Sequence, residues 1–510
     1  GCQGFSNVKA PYTGKTSINI SGGTVNMVYG AGSGRATGIP TYQGILDIIV
    51  TGGSISSIYG SGSAAYVVSG EDATKVNISV SAGTVGNIYA AGVGGEAGVD
   101  GGNDVNGTPA ADFGSLTGKA DITIDNDAVI TGNIYASGQG YTQKDYGKGN
   151  AYLDGEANIT VNGGTIKGNI YGGGEGVNKA GFEKSARVCK NSKVTVEIKG
   201  GLIEGYVYGG GKVAEVEGST NVIISGGTIK GNVYGGGEAG LTHGRAAVHM
   251  ANGTVNGSIY GGALGKVGDR FVYGGSTVNM TGGWVRGNVY GGSELSNDGK
   301  SGEQDEKSAS GLVFVNLTGG TVSGKVFGGG FQGIVNGSTH VHIGLGAIDK
   351  CNYYKSHAEE KPVLDASGLS VGGSVYAGGD YGGDSADLNY DTITVNGFSH
   401  VYIDGTDYSF GAGDTGGKKM EIAGGVFGSG ASCDAGDVRL VTLDHFGAAA
   451  SGGGQPEQVT GTVTSIQRAD QVRLIQTHVR LAGQSDVANS NQTTPYSLNR
   501  IGDKGNFDKL

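Results

Sequence analysis

The sequence predicts an all-β protein, a right-handed parallel β-solenoid of about twelve or more rungs with inserted loops. Three observations carry this prediction: a short phrase recurs along the chain, apolar and polar residues alternate within each copy, and glycine keeps fixed places in the phrase. The most regular copy, GGTIKGNVYGGG, occupies residues 226–237.

Each copy of the phrase centres on an apolar residue followed by an aromatic residue and then a small one. Three successive aromatic residues lie 26 residues apart, and wider gaps indicate inserted loops. A period of about 20–50 residues is typical of solenoids and propellers, but a propeller blade needs roughly 40 for its four strands. The short period therefore favours a solenoid rung. The predicted structural ladder consists of Tyr29, Tyr59, Tyr89, Tyr135, Tyr171, Tyr208, Tyr234, Tyr260, Tyr290, Phe327, Tyr376 and Phe427.

Each rung is expected to contain two alternating runs joined by a Gly-Gly corner, as in the strand Val194–Ile198 and the second run 254–260. β-Branched residues at every second position are typical of a strand with one buried face. If Val255 and Ile259 point inward, Tyr260 points outward, and the aromatic residues form an external ladder. Such a ladder could stack on sugars or a partner, or simply stabilise the rungs. A turn at Gly257 would instead bury the rings.

The chain is predicted to form a solenoid over residues 1–446, a flexible Gly/Ala/Ser segment at 447–458, and C-terminal β-rungs at 459–510. The last segment is expected to continue the solenoid and to be truncated. Loops inserted in solenoids project from one side and often carry the binding function. A local function is therefore expected in the insertions at residues 92–118, 293–310, 347–365 and 380–391.

Composition excludes several classes of protein. The 510 residues include 107 glycines but only 6 prolines, with no Gly-X-Y period, which excludes a collagen-like fibre. The net charge of −11 and the lack of a basic stripe argue against a nucleic-acid partner. The sequence has no apolar run long enough to span a membrane. Neither a signal peptide nor an anchor is evident, although Gly1-Cys2 could be the remnant of a lipoprotein cleavage site.

Two further columns accompany the aromatic one. An Asn precedes the anchor by two residues in many copies, which indicates a stacked amide ladder of structural origin. A Thr column raises the alternative of ice binding, but that function needs a flat double row, and Trp284 interrupts the single row. The columns consist of Asn87, Asn133, Asn169, Asn232 and Asn288, and of Thr24, Thr84, Thr165, Thr228, Thr254 and Thr321.

Two groups of residues are candidate metal ligands. Asp380, Asp384, Asp387 and Asp391 could gather oxygen ligands for Ca²⁺, but they lack the EF-hand spacing, so a solvated loop is the simpler expectation. The segment 340–342 (His-Val-His) places two imidazoles on one strand face. A third ligand is not evident from the sequence, and surface histidines are expected. The four cysteines form no CxxC or zinc pattern.

A carbohydrate-active β-helix protein, either a polysaccharide lyase or hydrolase or a glycan-binding module, is the alternative to a structural protein. Glycoside hydrolysis needs two carboxylates converging on a groove at about 5–10 Å. The acidic residues here concentrate in loops at different heights along the predicted solenoid, and no convergent pair can be nominated. The sequence therefore predicts no enzyme and no catalytic residues.

The repeat GGTφxGxφYGGG, seen at Gly164–Gly174, Gly227–Gly237 and Gly283–Gly292, resembles the glycine-rich β-helical repeats of large bacterial surface or secreted adhesin-like proteins. Ser465–Asp503 is similar to the region that follows such repeats. The resemblance implies a non-enzymatic, extracellular or cell-surface protein that forms a rigid stalk or filament. Its expected partners are host or bacterial surface glycans and proteins, or further copies joined end to end.

Overall fold

The computed structural model describes much of the chain, and it is all-β with parallel strands, as predicted. The described residues are 12–32, 41–63, 66–67, 75–94, 114–141, 151–178, 184–189, 192–265, 270–299, 311–380, 395, 398–404, 420–424, 426–427 and 430, together with the strands at 441–447, 458–461 and 476–483. The chain divides into two compact units, the first unit from Gly1 to Arg245 and the second unit from Ala246 to Leu510. The predicted boundaries near residues 446 and 459 remain predictions.

The first unit contains fourteen of the described strands, four of them with 15 to 19 residues and the others shorter. They are β1 (Tyr12–Tyr29), β2 (Thr41–Tyr59), β3 (Tyr66–Val67), β4 (Lys75–Tyr89), β5 (Leu116–Ile130), β6 (Ile134–Tyr135), β7 (Leu153–Val161), β8 (Thr165–Ile166), β9 (Ile170–Tyr171), β10 (Lys193–Ile198), β11 (Leu202–Ile203), β12 (Val207–Tyr208), β13 (Thr220–Ile229) and β14 (Val233–Tyr234).

The second unit contains the remaining described strands and the short helices. The strands are β15 (Ala246–Val255), β16 (Ile259–Tyr260), β17 (Arg270–Val272), β18 (Ser276–Val285), β19 (Val289–Tyr290), β20 (Asn297–Asp298), β21 (Val313–Val322), β22 (Val326–Phe327), β23 (Thr339–Ile343), β24 (Leu369–Val371), β25 (Val375–Tyr376), β26 (Phe398–Asp404), β27 (Met420–Ile422), β28 (Val426–Phe427), β29 (Val441–Gly447), β30 (Gln458–Gly461) and β31 (Gln476–Gly483). The helices are α1 (Leu345–Lys350), α2 (Asn352–Ser356) and a 3-10 turn (Ala358–Glu360).

In the first unit, each long strand pairs in parallel with the corresponding strand of the next repeat, so equivalent residues lie side by side. The pairing runs from β1 through β2, β4, β5, β7 and β10 to β13. One inward column is at most 1 % exposed in every strand from β2 onward. Burying such a side chain contributes about 1.5–3 kcal/mol, so the column forms a continuous core. Its residues are Ile48, Ile78, Ile122, Ile159, Val196 and Val222.

The second unit repeats this arrangement from β15 through β18, β21 and β23 to β26. Its inward column is fully buried, and β26 continues in parallel to β31. The pair β29–β30 is antiparallel, which departs from the predicted parallel rungs in this C-terminal region. The column consists of Val248, Val278, Val315, Val341 and Val401.

Glycine is required at the corner between the two runs of a rung. Gly227 has φ of 75°, a left-handed conformation that side chains with a Cβ rarely adopt. A Cβ at the preceding Gly226 would lie 2.1 Å from the carbonyl oxygen of Lys199 in the neighbouring repeat. The backbone of the neighbouring repeat therefore leaves no space for a side chain at residue 226, whereas Ala82 and Asn252 occupy this place in other repeats.

The insertion predicted at residues 347–365 is largely helical rather than an open loop. Helices α1 and α2 place Ile348, Cys351 and Tyr354 in a buried cluster with Leu312 and Phe314. The insertion thus adds a small hydrophobic core on the outer side of β21. Most of the other three predicted insertions lies outside the described residues.

The helices of the described ranges are all too short or too polar to cross a membrane.

We expect Gly226→Ala to destabilise the protein by about 1–3 kcal/mol, because the new methyl group would press on the backbone of the neighbouring repeat. Gly22 occupies the same place in the first repeat, and a Cβ there meets nothing within 4 Å. Gly22→Ala is the matched control and should change the unfolding free energy by less than about 0.5 kcal/mol. Chemical denaturation followed by circular dichroism measures both, and equal effects would contradict close corner packing.

Candidate functional site

The aromatic column is buried, which corrects the expectation of an external ladder. Val255 and Ile259 are fully buried, as strand parity predicts, but Tyr260 on the opposite face is also only 5 % exposed. In the first unit, Tyr171 is 1 % exposed. The reason is that the strand does not continue through Gly257: β15 ends at Val255 and β16 begins at Ile259, so the chain bends between them, which is the predicted alternative that buries the rings. The column therefore offers no aromatic stripe to a ligand.

The rings of the first unit form one continuous stack. Their centroids are 4.8–5.2 Å apart and their planes differ by at most 13°. Parallel strands lie about 4.7–4.9 Å apart, so the backbone spacing sets the ring spacing. Each stacked pair contributes about 0.5–1.5 kcal/mol beyond area burial. The stack comprises Tyr29, Tyr59, Tyr89, Tyr135, Tyr171, Tyr208 and Tyr234.

The second unit contains an equivalent stack in which phenylalanine replaces tyrosine twice. Its centroids are 4.6–4.9 Å apart and its planes differ by at most 9°. The stack therefore tolerates loss of the hydroxyl but keeps the ring. It comprises Tyr260, Tyr290, Phe327, Tyr376 and Phe427.

The asparagine column connects the stack to the backbone. Asn169 Nδ2 donates to the hydroxyl of Tyr171 at 2.9 Å, and Asn169 Oδ1 accepts from the backbone N–H of Tyr206 in the next repeat at 2.8 Å. Asn133 makes the equivalent bonds to Tyr135 and to the N–H of Asn169. Each amide thus satisfies one hydroxyl and one backbone group at the corner, which is a structural role.

A column of polar residues, four positions after the aromatic anchors, faces the hydroxyls. Tyr89 donates to Glu175 Oε2 at 2.6 Å, and Tyr59 donates to Gln139 Oε1 at 2.8 Å. Tyr171 likewise donates to Glu238. Each bond joins an anchor to a residue that lies two repeats further along the chain. The hydroxyls therefore hold non-adjacent repeats together.

Sequence analysis missed this column, although its fixed distance from the anchors was visible. Glu175 and Glu238 lie four residues after Tyr171 and Tyr234, where polar or charged residues recur. Glu175 also accepts from Gln139 Nε2 at 3.1 Å and pairs with Lys212 at 3.1 Å. The carboxylates are fully engaged with the protein itself.

Burial and the facing carboxylates keep the tyrosines protonated. Burial raises the pKa of Tyr59 to about 12, and the nearby Tyr29 and Glu175 add to the shift. Burial and the charge of Glu175 raise the pKa of Tyr89 far above its usual range. The hydroxyls are therefore fixed as donors at every physiological pH.

One residue of the predicted calcium cluster belongs to the polar column that faces the tyrosine hydroxyls. Asp380 is 8 % exposed and accepts a hydrogen bond from the hydroxyl of Tyr290 at 3.0 Å. Asp384, Asp387 and Asp391 lie outside the described residues. The calcium hypothesis therefore stays a prediction, with Asp380 already engaged by a tyrosine.

The two histidines of β23 are not on the surface, which corrects that expectation. His340 is 4 % exposed and His342 is fully buried, because α1 and α2 cover the face that carries them. Burial and the nearby His400 lower the pKa of His342 to about 3, so its imidazole is neutral.

A buried carboxyl group not singled out in the sequence lies in β20. Asp298 is fully buried, and its two oxygens lie 2.8 Å from the backbone nitrogen and from the hydroxyl of Ser293. Burial raises the pKa of Asp298 to about 7, although the hydrogen bonds from Ser293 oppose the shift. This group changes its charge near neutral pH.

The threonine column is half-exposed and interrupted. Thr165 pairs with Leu202, and Leu202 pairs in turn with Thr228. In the second unit, Trp284 separates Thr254 from Thr321. The described strands thus carry no uninterrupted threonine row of the kind that ice binding needs.

Comparison of the chain with protein-family models, with curated proteins and with solved structures gives no match.

We expect Tyr89→Phe to cost about 1–3 kcal/mol, because it removes the 2.6 Å hydrogen bond from the Tyr89 hydroxyl to the charged Glu175, which keeps only Gln139 and Lys212 as partners. Tyr89→Ala, which also removes the stacked ring, should cost about 3–5 kcal/mol. Tyr206→Phe is the control, since Tyr206 is 42 % exposed. Denaturant titrations give the three values, and a Tyr89→Phe effect no larger than that of Tyr206→Phe would contradict a stabilising hydroxyl bond.

Asp298 should make stability depend on pH. Its pKa is about 7 in the folded protein against 3.8 for the ordinary group, so the folded state holds the extra proton between these values. The contribution of protonated Asp298 to the free energy of unfolding is therefore complete below about pH 4. It falls by roughly 1 kcal/mol per pH unit as the pH rises towards 7. Asp298→Asn, which stays neutral, should remove this dependence.

Unfolding free energies of wild type and Asp298→Asn, measured at several pH values between 4 and 8, test whether stability falls as the pH rises. The wild type should lose stability relative to the variant as the pH rises. Asp349→Asn is the control for a general loss of charge, because Asp349 lies on the surface with a 57 % exposed side chain. A constant difference between wild type and Asp298→Asn across the range would show that Asp298 does not titrate there.

Proposed function

We propose that the chain is a right-handed parallel β-solenoid that serves as a non-enzymatic, rigid stalk of an extracellular surface protein. The observation that carries this proposal is the register of the strands. Within each unit, equivalent residues of successive repeats lie opposite one another, as Ile48, Ile78 and Ile122 do. Such stacking gives each repeat contacts mainly to its neighbours, which is how solenoids are built.

The polar groups of the repeats support a structural role because they bond to one another. Glu175 engages Tyr89, Gln139 and Lys212, and Asn169 engages Tyr171 and a backbone N–H. A catalytic or binding group must instead face its substrate. The columns therefore supply stiffness, and any adhesive contact belongs to the outer surface or to the insertions.

The extracellular location, the attachment to surface glycans or proteins and the end-to-end association follow from the resemblance to adhesin-like repeats. Parallel strands favour such association physically, since hydrogen-bonding groups along a strand edge can pair with another copy. These partners are part of the proposal.

Glycan binding is the second candidate, because Trp284, like Tyr206, lies on the surface and its indole is held in place. Trp284 is 42 % exposed, its Nε1 donates to Ser323 Oγ at 2.7 Å, and Arg286 lies 4.5 Å from its ring centroid. An indole held in place by these contacts is a suitable platform for a sugar ring. The aromatic anchors from Tyr59 onward are buried and cannot share this role.

Electron microscopy of the purified chain tests the stalk. We expect elongated particles that lengthen by about 4.8 Å per repeat, or filaments where copies join. Compact, round particles would contradict the proposal. Unsaturated or new reducing-end products after incubation with polysaccharides would contradict the non-enzymatic role.

A glycan array distinguishes a passive stalk from an adhesive one. If the second candidate is correct, the wild type binds a sugar and Trp284→Ala reduces binding at least tenfold, whereas Tyr206→Ala does not. Absence of binding to every sugar would exclude the glycan-binding alternative and leave the stalk intact.

A further inference from the structure

The outer side of β23 carries a compact group of soft metal ligands. His340 and His342 lie two residues apart and so point to the same face. Cys351 lies between α1 and α2, which cover this face, and it is a fully buried thiol rather than a half-cystine. The ligand atoms of these three residues all lie within 4.8 Å of one another, and Cys351 Sγ is 4.0 Å from His340 Nδ1.

A hydrogen-bond chain fixes the orientation of His342. Asn316 Nδ2 donates to Asn279 Oδ1 at 2.7 Å and lies 3.3 Å from the hydroxyl of Tyr354. Asn316 Oδ1 is therefore the atom that faces His342 Nδ1, at 2.6 Å, and it accepts the ring N–H. This leaves the lone pair on Nε2. Metal-binding histidines commonly donate their other N–H to a carbonyl in this way.

The Nε2 atom of His342 is an unsatisfied acceptor within the described part of the protein. It is completely buried and has no hydrogen-bond partner there. A buried acceptor without a partner costs about 1–3 kcal/mol. Since the bond to Asn316 fixes the tautomer with the lone pair on Nε2, a bound cation is a direct way to satisfy this atom.

The surroundings are aromatic and contain one more imidazole. The ring of Phe314 lies 5.0 Å from that of His340, and His400 stacks on the other side of His340 at 4.6 Å. Among the described residues, the ligand group contains no carboxylate. Hard cations such as Ca²⁺ and Mg²⁺ need oxygen ligands, so the donor set excludes them.

We propose that His340, His342 and Cys351 form a binding site for a transition-metal ion with a filled d shell, either Zn²⁺ or Cu⁺. Imidazole and thiolate are ligands that both ions accept. Zn²⁺ prefers four ligands and would need His400, which stacks on His340, to turn towards the ion as the fourth, whereas Cu⁺ is satisfied by three. Binding releases the Cys351 thiol proton to solvent, and the thiolate then coordinates the ion. The ion would hold the helical insertion against β23.

Metal uptake by the full-length chain tests the site. The protein is treated with a chelator and dialysed under reducing, anaerobic conditions against Zn²⁺ in one arm and Cu⁺ in the other. We expect one ion per chain in at least one arm, measured by elemental analysis. Cys351→Ser and His342→Asn should each lower the affinity at least tenfold in competition with a chelator. A wild type that binds no ion in either arm overturns the proposal.

Matched variants separate this site from other thiols. Replacing Cys2, Cys189 and Cys433 by Ser leaves Cys351 as the one cysteine of the chain and should preserve binding. Binding that survives Cys351→Ser, or that disappears in the triple variant, overturns the proposal. His400→Asn should weaken Zn²⁺ but not Cu⁺, which identifies the ion.

Two readouts do not depend on a variant that folds poorly. Co²⁺ added to the wild type should produce the intense near-ultraviolet absorption of a cobalt–thiolate bond, and its absence together with absent Zn²⁺ and Cu⁺ uptake counts against the site. Asn316→Ala leaves all proposed ligands in place and should weaken metal binding about 10–100-fold by releasing His342. Circular dichroism confirms the fold of each variant.

Discussion

The spacing between hydrogen-bonded parallel strands is the constraint on which the rest of this structure depends. Strands lie about 4.7–4.9 Å apart, and any side chain repeated at the same place must stack at that distance. Aromatic rings and amides can do so favourably, whereas like charges cannot. Tyr89 and Tyr135 meet this condition with centroids 4.8 Å apart and nearly parallel planes. In the aromatic column, the repeat therefore keeps a residue type that stacks favourably on its own copies.

Stacking alone would leave the tyrosine hydroxyls without partners in a buried environment. The chain solves this with two polar columns on either side of the ring. Asn169 precedes Tyr171 by two residues and donates to its hydroxyl, while Glu238 accepts from the same hydroxyl. Because Glu238 belongs to a repeat further along, the bond adds order beyond nearest neighbours. Phe327 needs neither partner, which explains why phenylalanine is accepted in the column.

The sequence was sufficient for the strand class, the repeat and the inward residues, because alternation and period depend on local geometry. Val255 and Ile259 illustrate this success. Burial of Tyr260 stayed open, since strand parity holds only within one strand and the sequence does not decide whether the chain bends at Gly257, as it does between β15 and β16. The column at Glu175 and Glu238 was accessible in principle, because its distance from the anchors is constant.

Sequence reasoning placed the two histidines of the proposed metal site on one strand face, but it did not predict their burial or the third ligand. His340 lies opposite Phe314 and His400, and His342 lies opposite Asn316 and Tyr402, so these columns contain unlike residues. Unlike residues lose the advantage of self-stacking, and at this place a further segment packs on them.

That cover is the helical insertion, whose Cys351 comes from a segment with no counterpart in the regular repeats. The corresponding outward positions of the first unit remain accessible: Asn77 and Asp47 bond to each other at 2.6 Å and are only partly buried. Where the repeat is regular, outward residues satisfy their neighbours in the column. Where an insertion buries outward residues, their column can contain groups such as His342 that need a further ligand. A metal site of the proposed kind is then compatible with a repetitive scaffold.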